Sequence, residues 1–359
     1  MRSCRRWTPK RRRIWRMRAE APTPESFVHA ALDRLAGDMP RLGIALSGGG
    51  DSTALMHLAQ AWARARGRAL MAATVDHGLR PGSGDEARQA GAAAQALGIP
   101  HEVLLWQRAG SGNLMAAARD ARLRLLSDWA HRHGLAAVVL GHTQDDQAET
   151  LMMRLNRGAG VDGLAAMAPL RAALGIRWLR PMLGLSRADL RHWLTARGIG
   201  WVDDPSNLND DFERIRARKA LAALDLPLAQ LAQSAANLAM VRDALQVFAA
   251  QVASGAAASA GALSLPLAKF RAAPIEIRRR LLVAGLRFVT GSDYPPRRAA
   301  LLTALEALQD GARLTLEGVI LETLPDALRL IREPSAALRS PPGLPDGQGV
   351  ALWDRRWRL

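Results

Sequence analysis

The sequence predicts an α/β protein: a doubly wound parallel sheet followed by a mostly helical region. Three observations predict it. Short apolar runs alternate with helical stretches from about residue 25 to residue 197, the pattern of strand–helix–strand units. Polar clusters follow the first, second and fourth runs, where ligands gather beyond the carboxyl ends of parallel strands. Beyond residue 213 the apolar residues recur at three- and four-residue steps, as in helices with one buried face.

Taken in order, residues 25–35 predict a short amphipathic helix. Leu42, Ile44 and Leu46 mark the first strand. Ser47, Gly48, Gly49 and Gly50 then make a turn, and Asp51, Ser52 and Thr53 open a helix with Leu55, Leu58, Ala59 and Trp62 on its apolar side. The glycines permit positive φ and close approach of backbone to ligand. Such a turn aims unpaired N–H groups and the positive helix end at one spot suited to phosphate. The competing reading is an ordinary strand-to-helix turn. The turn lacks the Gly-Lys-Ser/Thr ending of a Walker loop and the spacing of a dinucleotide fingerprint.

Residues 69–75 are a second strand running into Asp76 and His77. A helix over 85–97, a strand over 101–106, a loop at 110–112 and a long helix over 114–133 follow. Residues 136–140 are a fourth strand, leading through Gly141, His142 and Thr143 into another helix. Residues 177–179 suggest a short strand, and 186–197 a helix capped by Ser186. The run 201–209 breaks the pattern. Leu228, Leu231, Ala235, Leu238, Val241, Leu245 and Phe248 predict a helix with one buried face. Residues 254–261 are small and read as a flexible linker. Helices over 274–286 and 296–308 and a hairpin over 312–321 and 327–331 complete a mostly helical second domain, and 351–359 start a further element.

The net charge is +16, and of 49 basic residues only Lys10, Lys219 and Lys269 are lysines. Arginine-rich charge suits forked recognition of phosphate, so nucleic acid is the expected partner; a solvated basic surface is the alternative. Cys4 is the sole cysteine, which excludes a disulfide framework or a cysteine zinc site and fits a reducing, cytoplasmic location. No apolar run is long enough to span a bilayer. The first 18 residues hold nine positive charges and no acid. They are expected to be a disordered arm or upstream sequence from a misplaced start, with Met17 as a more ordinary beginning.

Asp145 and Glu149 stand four apart, so one face of a helix start presents both carboxylates, with Asp146 adjacent and His142 just before. Beside a triphosphate site such oxygen ligands suggest Mg²⁺; simple N-capping is the alternative. Arg119 and Arg122 face phosphate or plain solvent. Arg214, Arg216 and Arg218 suit an RNA backbone, against the same alternative. His57 reads as structural.

The glycine turn resembles that of the N-type ATP pyrophosphatases, which break ATP between the α and β phosphates. Together with residues 75–80, 141–150 (Gly-His-Thr-Gln-Asp-Asp-Gln-Ala-Glu-Thr), 154–158 and 204–207 with the arginines that follow, it resembles the tRNA(Ile)-lysidine synthetases. The match runs in register over about 40–220 and more loosely to about 332. The resemblance implies ATP-dependent ligation of free lysine onto the wobble cytidine of the CAU anticodon of isoleucine tRNA, through an adenylated base. It implies that Ser47, Gly48, Gly49, Gly50, Asp51, Ser52, Asp76, His77 and His142 hold ATP. Asp51, Asp145, Asp146 and Arg119 would be catalytic, with a rim carboxylate as the base. Asp51, Asp145 and Glu149 would hold Mg²⁺, and Arg214, Arg216 and Arg218 the RNA; a homodimer is allowed. The expected division is a basic arm (1–22), a PP-loop domain (23–212), a helical connector (213–254), a tRNA-binding helical domain with a hairpin (255–335), and a tail or the start of a truncated further domain (336–359). Two departures stand out: Met115 replaces the family's glutamate and Leu123 its tyrosine. Rival readings are a tRNA thiolase, although the chain lacks Cys-X-X-Cys pairs, a small-molecule amide-forming pyrophosphatase, and an inactive tRNA-binding protein.

Overall fold

The computed structural model describes residues 22–78, 82–107, 114–202, 213–259, 261–292, 295–309, 311–340, 352–354 and 357–358. The basic arm with Cys4, Lys10 and Met17, Leu79 and Arg80, the 110–112 loop with Asn113, the Met115 side chain and residues 203–212 lie outside the described residues. The chain divides into two compact units, residues 1–236 and 237–359.

The first unit runs α1 (Pro24–Ala36), β1 (Arg41–Ala45), α2 (Gly50–Arg66), β2 (Ala69–Asp76), α3 (Ser83–Ala96), β3 (His101–Leu105), α4 (Leu114–Arg132), β4 (Ala137–Val139), α5 (Gln144–Asn156), α6 (Val161–Leu164), β5 (Leu170–Ala173), β6 (Ile176–Leu179), α7 (Arg187–Thr195) and α8 (Glu213–Ala223). The sheet order is β3-β2-β1-β4-β6-β5. Every pairing is parallel except β5 with β6, which is antiparallel. The chain winds outward from β1 to β2 and β3, then returns to place β4 on the other side of β1. The order therefore reverses between β1 and β4, and a ligand crevice is expected beyond their carboxyl ends.

Both sheet faces are covered. On one face Leu32 of α1, Leu55, Leu58 and Trp62 of α2 and Leu190 and Trp193 of α7 form one core. On the other, Leu126 and Trp129 of α4 pack with Val138, Ile176 and Trp178. Each such fully buried large side chain contributes about 1.5–3 kcal/mol. Gly43 in β1 is a packing device: a Cβ there would stand 2.7 Å from the Trp129 ring.

α9 (Leu228–Val252) starts in the first unit and ends in the second. Its apolar stripe is not the buried face that its spacing predicts. Only Ala232 and Ala235 are buried, while Val241 and Phe248 are exposed. Leu245, Ala249 and Val252 at its far end pack against the second core. A helix of 25 residues outruns the surface that any one small core offers.

The second unit continues with β7 (Ala257–Ser259), β8 (Ala262–Pro266), α10 (Leu267–Ala272), α11 (Ile275–Thr290), α12 (Arg298–Gln309), β9 (Leu314–Leu316), β10 (Val319–Thr323), β11 (Ala327–Arg332), α13 (Pro334–Leu338), β12 (Leu352–Trp353) and β13 (Trp357–Arg358). The expected helices are α11 and α12. Beside them stands a five-stranded antiparallel sheet, order β7-β8-β11-β10-β9, of which the sequence suggested one hairpin. The run read as a flexible linker supplies β7: its small residues pair with β8 through backbone bonds that composition does not reveal. Gly285 lets α11 lie close to this sheet, since a Cβ there would meet Leu330 at 2.7 Å. Among the described residues no helix is long and apolar enough to cross a membrane.

Candidate active site

β1 delivers its chain into the glycine turn at the point of strand reversal. Of the three glycines only Gly48 uses the left-handed region, with φ +79°. Gly49 is the extended N-cap of α2, and Gly50 is its first residue. The turn is tied internally. The Ser47 N–H donates to Ser52 Oγ at 3.1 Å, and Ser52 Oγ donates to the Gly49 carbonyl at 2.9 Å. The Thr53 hydroxyl and the Val202 N–H both donate to the Gly48 carbonyl, at 3.2 and 3.0 Å. No side chain caps α2, so its first N–H groups keep their capacity for an anion.

β4 delivers the acids. Gly141 touches the glycine turn itself, since a Cβ there would stand 3.2 Å from Asp51 O and from Ser52 N and Cα. Thr143 and Asp146 form a reciprocal capping box at the start of α5. Asp145 accepts the Arg187 N–H at 2.8 Å and so caps α7. Capping thus occupies part of this cluster, though not as the alternative had it: Thr143 is the N-cap, Asp146 is the third helical residue, Asp145 serves α7, and Glu149 lies beyond the first turn. Arg187 Nε lies 3.1 Å from Asp51, and its terminal nitrogens lie 3.4 Å from Asp146 and Glu149 and 3.9 Å from Asp145. Glu149, 2 % exposed, also meets Arg218 at 2.8 Å and Arg214 at 3.5 Å, and Arg214 lies 3.7 Å from Asp146.

The glycine turn, Asp51, Asp146, Arg187, Arg214 and Arg218 line a cleft of about 790 Å³. Among its described lining residues Arg122, Arg187, Arg191, Arg214, Arg218 and Lys219 outnumber the carboxylates Asp51 and Asp146. That balance favours a polyanion. Burial, reinforced by Asp146 and Asp145, raises the Asp51 carboxyl above its usual range despite Arg187. Burial alone would raise Asp146 too, but the charges of Arg214 and Arg187 and the Thr143 N–H outweigh it and hold that carboxyl low. His142 is pushed down to about 3 by burial and by the charges of Arg180, Arg122 and Arg214, against the pull of Asp146. Its imidazole is neutral, and its Nδ1 is buried without a hydrogen-bond partner. Enclosure by the cleft walls, with Arg119 and Arg214 nearby, disfavours the charge of Arg122 although solvent reaches it.

Ser47, Gly48, Gly49, Gly50, Asp51, Ser52, His142, Asp145, Asp146 and Glu149 thus come together. Asp76 and His77 do not line this cleft. Asp76 accepts the Gly78 N–H at 2.9 Å, and His77 stands edge-on to Trp106. Arg119 is exposed on α4 outside the lining. Arg214 and Arg218, expected on RNA, turn inward to the acids, and Arg216 is exposed on α8. His57 packs edge-on to Trp193, a structural placement. Arg187 escaped the sequence reading: only its place after the cap Ser186 was visible, and that says nothing of where its side chain goes.

Among the described residues no three acid, histidine or cysteine side chains form a ready metal cage; the carboxylates converge on Arg187 instead. Mg²⁺ that arrives on a triphosphate needs only one or two carboxylates, the rest of its shell being phosphate and water. Asp51 and Asp146 fit that requirement. Both line the cleft, and Asp146 keeps Oδ1 outside its capping box; Asp145 and Glu149 are not among the described lining residues, and Glu149 is enclosed by arginines.

Comparison with known proteins agrees with this architecture. A family model described as a PP-loop domain matches residues 25–224. A tRNA(Ile)-lysidine synthase of Ruegeria pomeroyi is 46% identical over 327 residues, covering 89% of this chain and 76% of the relative. One of a Bradyrhizobium species (strain BTAi1) is 39% identical, covering 82% of this chain and 90% of the relative. The solved U34-tRNA thiolase NcsA of Methanococcus maripaludis shares the fold, with TM-score 0.50 and 16% identity over 59% of this chain and 77% of that one. On the match to the PP-loop model and the identity to these synthases, the chain belongs to the tRNA(Ile)-lysidine synthase family of PP-loop proteins.

Proposed function

We propose that this protein ligates free lysine onto the wobble cytidine of the CAU anticodon of isoleucine tRNA, converting ATP to AMP and pyrophosphate. The observation that carries the reading is the meeting of the glycine turn and the acidic helix start in one cationic cleft at the strand reversal. A cytosine carbonyl oxygen is a poor leaving group. Its attack on the α-phosphate of ATP forms an O–P bond and expels pyrophosphate. The lysine ε-amine then attacks the same ring carbon, and AMP leaves with the oxygen. The amine, with a reference pKa near 10.4, must first lose a proton, which a rim carboxylate takes.

The open N-terminus of α2 and the turn at Ser47 to Ser52 hold the phosphates. Asp51 and Asp146 would hold Mg²⁺, whose charge would offset that growing at the α-phosphate. Arg122 and Arg214, which line the same cleft, supply forked donors. The wobble base enters splayed from its loop, and the basic second unit grips the tRNA. A tRNA substrate and a lone cysteine support a cytoplasmic location. The test uses an unmodified isoleucine tRNA transcript, ATP and labelled lysine. Label is expected in RNA with the wild-type protein and a CAU anticodon, and not with Asp51→Ala. Pyrophosphate release without a lysine requirement would instead indicate a thiolase or a small-molecule synthetase.

A further inference from the structure

A cation already occupies the place where the carboxylates of the cleft converge. Arg187 is the first residue of α7, and its backbone N–H is held by Asp145 Oδ2 at 2.8 Å. Its side chain, 18 % exposed, reaches Asp51 of α2 and Asp145, Asp146 and Glu149 of α5. The Asp51 contact is a hydrogen bond of 3.1 Å, whereas the other three, at 3.4–3.9 Å, are longer than well-formed hydrogen bonds. One guanidinium is thus shared among four acids in an electrostatic compromise. Glu149 Oε2 is buried and accepts no hydrogen bond, with Arg214 Nε 3.5 Å away. The oxygens nearest Arg187 on Asp51 (Oδ2) and Asp146 (Oδ1) belong to the two carboxylates that line the cleft; Asp146 keeps its other oxygen on Thr143, and Arg214 lies 3.7 Å from Oδ1.

We infer that Arg187 is a placeholder cation: a positioning residue that holds Asp51 and Asp146 apart from metal until nucleotide arrives. In the ligand-free protein it offsets their mutual repulsion and keeps them in register. When Mg²⁺ comes in on a triphosphate, the guanidinium yields these two oxygens and stays tethered through Asp145 and Glu149. Metal binding is thereby conditional on nucleotide, because free Mg²⁺ must displace a resident charge whereas the nucleotide complex brings phosphate contacts as well. The inference rests on the proposed role of Asp51 and Asp146, but its test needs no lysine transfer.

The probe is Mn²⁺, titrated without nucleotide into wild type, Arg187→Gln and Arg187→Lys and followed by electron paramagnetic resonance. Arg187→Gln is expected to bind Mn²⁺ about tenfold more tightly than wild type, the effect of losing one partly buried competing charge. Arg187→Lys keeps a charge that cannot span four acids, and an intermediate gain of roughly threefold is expected. Arg187→Gln should also melt lower in chelator and recover with Mn²⁺. A folded Arg187→Gln protein that binds Mn²⁺ no better than wild type overturns the inference. If Arg187→Gln does not fold even with Mn²⁺, Arg187→Lys decides, and absence of any gain there overturns it equally. Failure of lysine incorporation by the wild type, with the Mn²⁺ gain present, would count against the proposed reaction and leave the placeholder role standing.

Discussion

Gly141 lies against Ser52 so closely that a methyl group at position 141 would stand 3.2 Å from the Ser52 N and Cα. The neighbour is backbone, at the first turn of α2, and cannot swing aside as a side chain would. β4 and β1 are adjacent strands, so this contact sets how the acid-bearing segment approaches the phosphate turn. Gly141→Ala must push the two apart by a few tenths of an ångström. A cost of about 1–3 kcal/mol is expected from such overpacking, together with a roughly tenfold loss of ATP affinity. Thermal melts and nucleotide-binding calorimetry measure the two, and unaltered ATP affinity would mean that the contact does not shape the site.

Glu149 is the inner anchor of the arginines. Removing its charge leaves Arg187, Arg214 and Arg218 turned toward a buried neutral side chain. Breaking a buried pair costs about 3–5 kcal/mol, and partial solvation of Arg214 and Arg218 places Glu149→Gln near the lower bound. The melting temperature of the first unit should fall by roughly 6–12 °C, with lysine incorporation lost. Glu149→Asp, which keeps the charge but shortens the reach, should recover part of the stability. Equal melting of Glu149→Gln and wild type would show the three arginines to be solvated independently.

Asp51 behaves in the opposite sense. Burial and the neighbouring Asp146 and Asp145 raise its carboxyl above the unfolded value. A raised acid contributes stability below its unfolded pKa and loses it as pH rises through the folded value. At neutral pH the ionised carboxylate therefore burdens the ligand-free fold. Asp51→Asn is expected to raise the melting temperature by roughly 2–4 °C, about 1 kcal/mol, while lysine incorporation falls by about a hundredfold or more. Stability given up for function in this way is a common property of active sites. A lower melting temperature for the variant would mean that the Arg187 contact outweighs burial.

Residues 24–195 show what was legible in the sequence. Alternating apolar runs and helix caps locate every strand from β1 to β4 and the helices between them, because each is written in local periodicity. The polar clusters after β1 and β4 could be assigned to one rim because topology places them there. β5 was missed: its four residues are mostly exposed and carry no alternation, so pairing with β6 alone makes it a strand. β7 was hidden by its small residues for the same reason. The direction of a long side chain is the least legible feature. Arg187 meets Asp51 across 136 residues, and nothing near either position announces it. Arg214 and Arg218 share a helix with Arg216, yet only the fold turns them inward to Glu149.

His142 gives the cleft an acid limit. Its imidazole, packed beside Asp146 and near Arg122, Arg180 and Arg214, takes a proton in the folded state only at about pH 3. In the unfolded chain it does so near 6.5. Between these values the unfolded state binds a proton that the folded state refuses, so stability rises with pH across the window. The contribution is complete above pH 6.5 and is lost as pH falls toward 3; at pH 5 the loss is about 2 kcal/mol. Asp146, held low, acts in the same direction only below the unfolded carboxyl value of 3.8, and Asp51 acts in the opposite direction. His57, His77 and His101 are also pushed down by burial, so the wild-type slope alone does not isolate one ring. His142→Asn does: its stability measured against pH from 7.5 to 4.5 should be flatter than the wild type by the equivalent of one proton. Parallel slopes would mean that the folded cleft accepts the proton, and that the neighbouring arginines do not set the charge of this imidazole.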